Sequence, residues 1–141
     1  MMDQRFPSAR QGALTPRQRQ EIESQRPLQT RQEVPLVRAQ TTYSTLVTAR
    51  ADAYFKMEGL WAANVDGSAR TVSVALVAPA GSPSAANALV FALSVAANTT
   101  VELTGASKIL IPPDYTLQVT ASANDMINVY GWGMNIAGEQ A

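Results

Sequence analysis

The pattern of hydrophobic and polar positions divides the chain into two parts. From residue 41 onward, short apolar runs alternate with polar positions and are interrupted by Gly, Asn, Asp and Pro, whereas residues 1–40 contain few large apolar side chains. A period of two is typical of strands that bury one face. The first part cannot bury enough surface to offset the entropy of ordering it. We therefore predict a β-sandwich domain over residues 41–141 and an extended N-terminal arm over residues 1–40.

Eight short strands are predicted in the second part. They cover residues 43–49, 54–64, 70–78, 88–95, 99–104, 108–111, 115–121 and 126–136. Many short strands with frequent turns and almost no helix are typical of an antiparallel sandwich. The expected fold class is therefore all-β, a jelly-roll-like sandwich of about eight strands.

The second of these strands and the turn after it carry the clearest local signals. Phe55, Met57 and Trp61 are expected on one face of the strand, and Gly59 interrupts the alternation, which indicates a β-bulge. The Asp66-Gly67 dipeptide that follows favours a tight turn, so we predict a hairpin at this point.

The arm is predicted to contain one short helix at about residues 16–25. Thr15 is a suitable N-cap, Pro16 fits the first helical position, and Pro27 ends the helix. This helix has no broad apolar face, so alone it should be marginal in water. The apolar segment at residues 34–37, Val-Pro-Leu-Val, is expected to lie along another surface.

The two parts carry opposite charge although the formal net charge of the chain is zero. Residues 1–40 contain seven basic and four acidic side chains, a net of +3, and residues 41–141 contain four basic and seven acidic ones, a net of −3. The arginines of the arm are widely spaced among acidic residues and have no aromatic partners. This spacing fits arginine–carboxylate pairs on a partner protein better than binding to nucleic acid.

The composition excludes several kinds of chemistry. Cysteine and histidine are both absent, which removes disulfides, Ser–His and Cys–His nucleophiles, and the usual ligands of zinc and copper. Asp66, Asp114 and Asp125 fit turn positions, although a β-sandwich hydrolase that uses Asp114 or Asp125 is a third interpretation of the chain. We expect no catalytic residue, no metal and no cofactor.

Neither a membrane span nor a secretory signal is predicted. No apolar run approaches the roughly 20 residues that a membrane helix needs. The N-terminus lacks the apolar core of a signal peptide. We expect a soluble protein that is not exported and has no membrane partner.

Aromatic residues are few, and three of them suggest a surface. Tyr130 and Trp132 alternate in the last strand, so they should point to the same face. Together with Trp61 they would suit a carbohydrate-stacking platform, and core packing or a subunit contact is the other interpretation.

The domain resembles the small β-sandwich accessory proteins of tailed-bacteriophage virions. The resemblance lies in the pattern of residues 58–64 (EGLWAAN), 70–77 (RTVSVALV), the Ser/Ala-rich loop 81–87, residues 108–123 (KILIPPDYTLQVTASA) and residues 127–133 (INVYGWG). It covers roughly two thirds of the chain. It implies a non-enzymatic structural protein that decorates or cements a capsid, is made in the host bacterial cytoplasm and is placed on the capsid exterior.

The expected partners are the major capsid protein and further copies of this chain, as a dimer or trimer, without nucleic acid. An arm lets a small domain reach neighbouring shell subunits and adds contacts by tethering. The expected capsid contacts are Arg17, Arg19, Arg26, Arg31, Val34, Leu36 and Val37, and the expected subunit interface contains Tyr130 and Trp132. The alternative function is a tail or neck module that binds host-surface carbohydrate.

Overall fold

The computed structural model describes residues 15–17, 29–104 and 108–137. Within these ranges the chain forms nine strands and one short 3-10 helix, Ala85–Asn87. The strands are β1 (Gln29–Ala39), β2 (Ser44–Thr48), β3 (Ala53–Asn64), β4 (Arg70–Val77), β5 (Ala88–Val95), β6 (Thr100–Glu102), β7 (Ile109–Ile111), β8 (Thr116–Ala121) and β9 (Ile127–Ala137). All eight strands predicted from the alternation are present, as β2 to β9.

The strands form two antiparallel sheets, which confirms the predicted all-β sandwich. The larger sheet has the order β1-β9-β3-β6, with β7 pairing β3 beside β6, and the smaller sheet has the order β2-β8-β4-β5. Among the described strands only β4 and β5 are both consecutive in sequence and paired with each other. Most connections therefore cross between the sheets, and the jelly-roll form of the sandwich stays a prediction.

The core lies between the two sheets and is built from alternate positions. In β8, Leu117 and Val119 are buried between half-buried neighbours, and in β9 Ile127 and Val129 point to the same interior. Phe55 supplies the largest fully buried side chain. Each buried side chain of this size contributes about 1.5–3 kcal/mol, so the sandwich does not need a disulfide.

The structure corrects the predicted boundary between arm and domain. Residues 29–39 form β1, which pairs with β9, so the domain begins at about residue 29 instead of residue 41. Val34 is 3% exposed and Ala39 is fully buried in the core. Pro35 lies where the register shifts between Val34 and Val37, and proline is tolerated there because β1 is an edge strand.

Of the predicted helix at residues 16–25, only Pro16 and Arg17 are among the described residues, and both are helical. The helix therefore remains a prediction. The same holds for the part of the arm that precedes β1, which now comprises residues 1–28.

The bulge predicted at Gly59 is confirmed, and it has a consequence that the sequence pattern did not show. The β3–β9 register shifts between Met57 and Gly59. One extra residue exchanges the two faces of a strand. Phe55 and Met57 therefore face the core, but Trp61 points to the outer face, which corrects its expected position.

Glycines in β9 allow this strand to approach β3 closely at the bulge. A Cβ atom on Gly131 would lie 2.2 Å from the carbonyl oxygen of Gly59, and a Cβ on Gly133 would lie 2.4 Å from the ring of Phe55. The Gly59 carbonyl oxygen belongs to the backbone, so it cannot move away from a Cβ on residue 131 without disrupting the pairing of β3 with β9. We call the close pairing of β3 with β9 at the bulge the β3–β9 seam. The two glycines of the Gly-Trp-Gly sequence in β9 are required for this packing.

The Asp66-Gly67 turn does not form the predicted hairpin. It connects β3 of the larger sheet to β4 of the smaller sheet, and these two strands are not paired. Buried Asn64 holds this crossing by donating to the carbonyl oxygens of Ser68 at 2.9 Å and Val95 at 3.0 Å. Asp66 accepts a hydrogen bond from Arg70 Nε at 2.7 Å. A hydrogen-bonded corner therefore replaces the expected hairpin.

Gly131→Ala tests the seam. We expect a loss of about 1–3 kcal/mol or more in the free energy of unfolding, because the added methyl group meets the Gly59 backbone. Gly67→Ala is the matched control, since nothing lies within 4 Å of a Cβ at that position. Urea unfolding of both variants measures the difference. Equal stability of the two variants would contradict the close approach of β9 to β3.

Asp66→Asn tests the corner through its pH dependence. The hydrogen bond from Arg70 lowers the pKa of Asp66 from its ordinary value of 3.8. The ionised pair therefore stabilises the fold above about pH 4, and this contribution disappears as the pH falls through the lowered folded-state pKa. Wild type should melt higher than Asp66→Asn near neutral pH, with the gap closing in acid.

The control for this corner is Asp52→Asn, because Asp52 pairs with Arg50 through side chains that are 67% and 48% exposed. Such a pair contributes little. A melting-temperature gap for Asp66→Asn that stays constant down to strongly acid pH would show that the carboxylate charge is irrelevant.

Candidate assembly surfaces

Three aromatic side chains meet on the outer surface of the larger sheet, and with Arg31 they form what we call the aromatic face. Trp61 of β3 lies directly opposite Tyr130 of β9, and Trp132 lies opposite Gly59. Outward positions alternate along β9, so Tyr130 and Trp132 share one side of the strand as predicted. Trp61 joins them only because the bulge turns it outward.

The rings of the aromatic face are already in contact with one another. The centroids of Trp61 and Tyr130 are 6.0 Å apart with an angle of 21° between the planes. The Trp61 ring extends over Gly59, where a Cβ atom would lie 2.4 Å from Trp61 Cη2 and 3.2 Å from Trp132 Nε1. The indole rings of Trp61 and Trp132 therefore occupy the space that a side chain at position 59 would need.

Arg31 completes this face from the neighbouring edge strand β1. Its guanidinium carbon lies 4.2 Å from the centroid of the Trp132 ring. The same side chain pairs with Glu33 at 3.0 Å. Arginine over an indole is a favourable cation–π contact, and tryptophan, tyrosine and arginine are the residues that most often dominate binding energy at protein interfaces.

The expected capsid-contacting residues have different fates in the structure. Val34 is buried in the core, so it cannot contact a capsid, because β1 uses it to close the larger sheet. Val37 is half-buried against the same core. Leu36 is 55% exposed and stays available. Arg17 lies in the short described stretch before β1, whereas Arg19 and Arg26 lie outside the described residues.

A second surface was not found by the sequence analysis. At the edge where β5 of the smaller sheet faces β7 of the larger one, a groove of about 310 Å³ opens between the sheets, and we call it the open-edge groove. Thr104 and Lys108 lie in it beside six apolar side chains. The six are Leu76, Leu89, Val90, Leu103, Ile109 and Leu110.

Strand β5 also exposes large apolar side chains next to this groove. Phe91 is 65% exposed, Leu89 48% and Leu93 40%. One feature of the sequence could have indicated this exposed apolar surface. Strand β5, Ala-Leu-Val-Phe-Ala-Leu-Ser-Val, has no charged residue, although edge strands usually carry some. Nothing in the alternation itself shows that β5 is an edge.

The candidate acids are held in separate turns. Asp114 and Asp125 both have positive φ, at 69° and 65°, which supports the turn roles predicted for them. They flank β8, whose six residues span roughly 20 Å, whereas catalytic carboxylate pairs lie within about 5–9.5 Å of each other. Asp114 and Asp125 therefore do not form such a pair with each other. No cluster of three or more possible metal-binding side chains occurs among the residues that the structure describes.

Comparison with known proteins identifies the fold and leaves the family open. No protein family and no curated protein matches the chain. A solved structure of Bacillus endospore appendages, described as a novel family of disulfide-linked pili, is similar with a TM-score of 0.50 and 11% identity. The match covers 79% of this chain and 90% of that chain, which supports the β-sandwich fold alone. None of the described helical residues forms a segment long and apolar enough to span a membrane.

Proposed function

We propose that this chain is a non-enzymatic structural subunit of a larger particle, in the form that the resemblance implies: a protein that decorates or cements a tailed-phage capsid. In this proposal the sandwich self-associates as a dimer or trimer through the aromatic face. Residues 1–28, with Leu36 of β1, contact the major capsid protein. The protein is located on the capsid exterior.

The aromatic face is the single observation that carries this proposal. Trp61, Tyr130 and Trp132 lie together on an outer surface, with Arg31 beside them, instead of lining a cleft with titratable groups. Flat surfaces with this composition are typical of protein interfaces. Because the interaction is repeated by symmetry, moderate contacts suffice for assembly.

The segment before β1 is suited to reach a neighbouring subunit. Residues 1–28 contain five arginines and three acidic residues. Fully extended, 28 residues span up to ~95 Å, several times the width of the sandwich. Arginine forks spaced along such a segment can pair with carboxylates on a partner.

The pilus similarity is compatible with a structural role and separates the two proteins in one respect. The similar structure is described as one of a family of disulfide-linked pili, whereas this chain has no cysteine. Copies of this chain therefore cannot be linked to each other by disulfide bonds. In this proposal they are held together by non-covalent contacts at the aromatic face.

A glycan-binding tail or neck module is the second candidate, because three aromatic rings share one outer face. Sugar rings stack on exposed aromatic faces. Here Trp61 and Tyr130 stack on each other and Arg31 covers one face of Trp132, so much of the stacking area is already used. We therefore place the protein interface first.

Trp61→Ala combined with Tyr130→Ala tests the aromatic face. We expect self-association to weaken at least about tenfold, because Trp and Tyr are enriched among interface hot spots, whose truncation costs about 2 kcal/mol or more. Sedimentation of the purified protein over a concentration series measures this. Val65→Ala is the control, since Val65 is 55% exposed in the β3–β4 connection, away from the aromatic face.

Two outcomes of this experiment are informative. Unchanged association of the double variant would exclude the aromatic face as the subunit contact. Binding of wild type to glycans that the double variant no longer binds would favour the second candidate function instead.

Deletion of residues 1–28 tests the capsid contact. The shortened protein keeps β1, so it should fold and yet bind purified capsids more weakly than the full chain. Deletion of residues 1–40 is expected to unfold the sandwich or lower its melting temperature by about 10 °C or more, because it removes Val34 and Ala39 from the core. Full capsid binding by the 29–141 protein would refute the proposed role of the leading segment.

A further inference from the structure

The open-edge groove and Phe91 form a complementary pair on one edge of the molecule. Phe91 is the most exposed of the large hydrophobic side chains in the described part of the chain, at 65%. It follows Val90, which lines the groove. A protruding ring and an apolar groove are thus neighbours along the same strand, and neither is filled or covered by the described part of the same chain.

Regular strand addition at this edge is disfavoured by the shape of β5. The β4–β5 register shifts twice, between Val72 and Val74 and between Val74 and Ala75. Ala92 has a positive φ of 51°, and its N–H is held by the Ser73 hydroxyl at 2.8 Å. Bulges of this kind protect an edge from pairing with another strand. The edge therefore has to bind its partner through side chains.

The groove has the size and lining that an aromatic ring requires. Its volume is about 310 Å³. An apolar cavity of about 150 Å³ is enough to bind benzene, so a phenylalanine ring fits with room to spare. The lining is mainly leucine and isoleucine, with Lys108 as its charged member.

Lys108 also distinguishes between two possible occupants within this chain. Residues 1–28 have a net positive charge, with five arginines against three acidic residues. The lysine ammonium repels such a segment. Strand β5 carries no charge, so a second β5 edge meets no repulsion at the groove. The favoured occupant is therefore the Phe91 edge of a second copy.

We propose that two copies associate about a two-fold axis at this edge, with Phe91 of each copy inserted into the open-edge groove of the other. A two-fold interface requires a self-complementary surface in which residue i meets residue j and j meets i. A ring beside a groove satisfies this condition. The contact deepens the proposed self-association and rests on it for its biological role, but it uses a different surface from the aromatic face.

Cysteine pairing between variants tests the contact directly, because the natural chain has no cysteine. Phe91→Cys and Leu110→Cys proteins are mixed under mild oxidation, and the mixed disulfide is quantified by mass spectrometry. Leu110 lines the groove, so the mixed product should exceed that from Val65→Cys with Leu110→Cys. Val65 is a matched control, because it is a large apolar residue that is 55% exposed in the β3–β4 connection. Equal yields in the two mixtures would overturn the proposal.

Phe91→Glu adds a test in solution. The association constant measured by sedimentation should fall at least about tenfold, whereas Val65→Glu, at a side chain that is 55% exposed in the β3–β4 connection, should leave it unchanged. If Phe91→Glu associates like wild type while Trp61→Ala with Tyr130→Ala does not, the aromatic face is the contact and the groove proposal fails. If deletion of residues 1–28 dissociates the protein and Phe91→Glu does not, the leading segment is the occupant and the proposal fails likewise.

Discussion

The close pairing of β3 with β9 at the Gly59 bulge is the constraint on which the rest of the structure depends. The bulge shifts the register by one residue, so the first half of β3 buries Phe55 and Met57 and the second half buries Leu60 and Ala62. Both halves can face the core only if β9 follows the bulge closely, which requires a residue without a side chain opposite it. The same shift sends Trp61 outward, so one packing requirement determines both the core and the aromatic face.

The two long edge strands are treated in opposite ways by the sequence. Edge strand β1 contains Pro35 and charged side chains such as Arg31, which are standard protections against unwanted pairing. Edge strand β5 has no charge and exposes Phe91. The register shifts of β5 protect its backbone from strand pairing, but they leave its apolar side chains exposed. An exposed apolar edge is a liability for a monomer and an asset for a subunit, since monomeric proteins rarely leave contiguous apolar patches uncovered.

The sequence predicted strands well and their partners poorly, for physical reasons. Alternation reports burial on one face, so it located β2 to β9 and the bulge. Strand β1 was missed because a polar edge strand buries only a few residues, here Val34 and Ala39. The prediction of a hairpin at Asp66-Gly67 was wrong, because turn residues indicate only the local backbone geometry. They do not indicate which strands pair, and β3 pairs with β9, which is far away in the sequence. The open-edge groove could not be predicted, because its position depends on which strands lie at the edges of the sheets. The topology of the fold, and not the local sequence pattern, determines this.

Separate contact surfaces matter for a small subunit because a rigid particle needs each copy held from more than one direction. The aromatic face lies on the outer side of the larger sheet, whereas the open-edge groove lies where β5 and β7 leave the sandwich open. In the proposed assembly, one self-association surface with two-fold symmetry would produce only a dimer, a second one at another angle would extend the assembly, and residues 1–28 would add a tethered contact to a partner. If both proposed contacts form, the angle between the two surfaces of each sandwich sets the number of copies that a closed assembly contains.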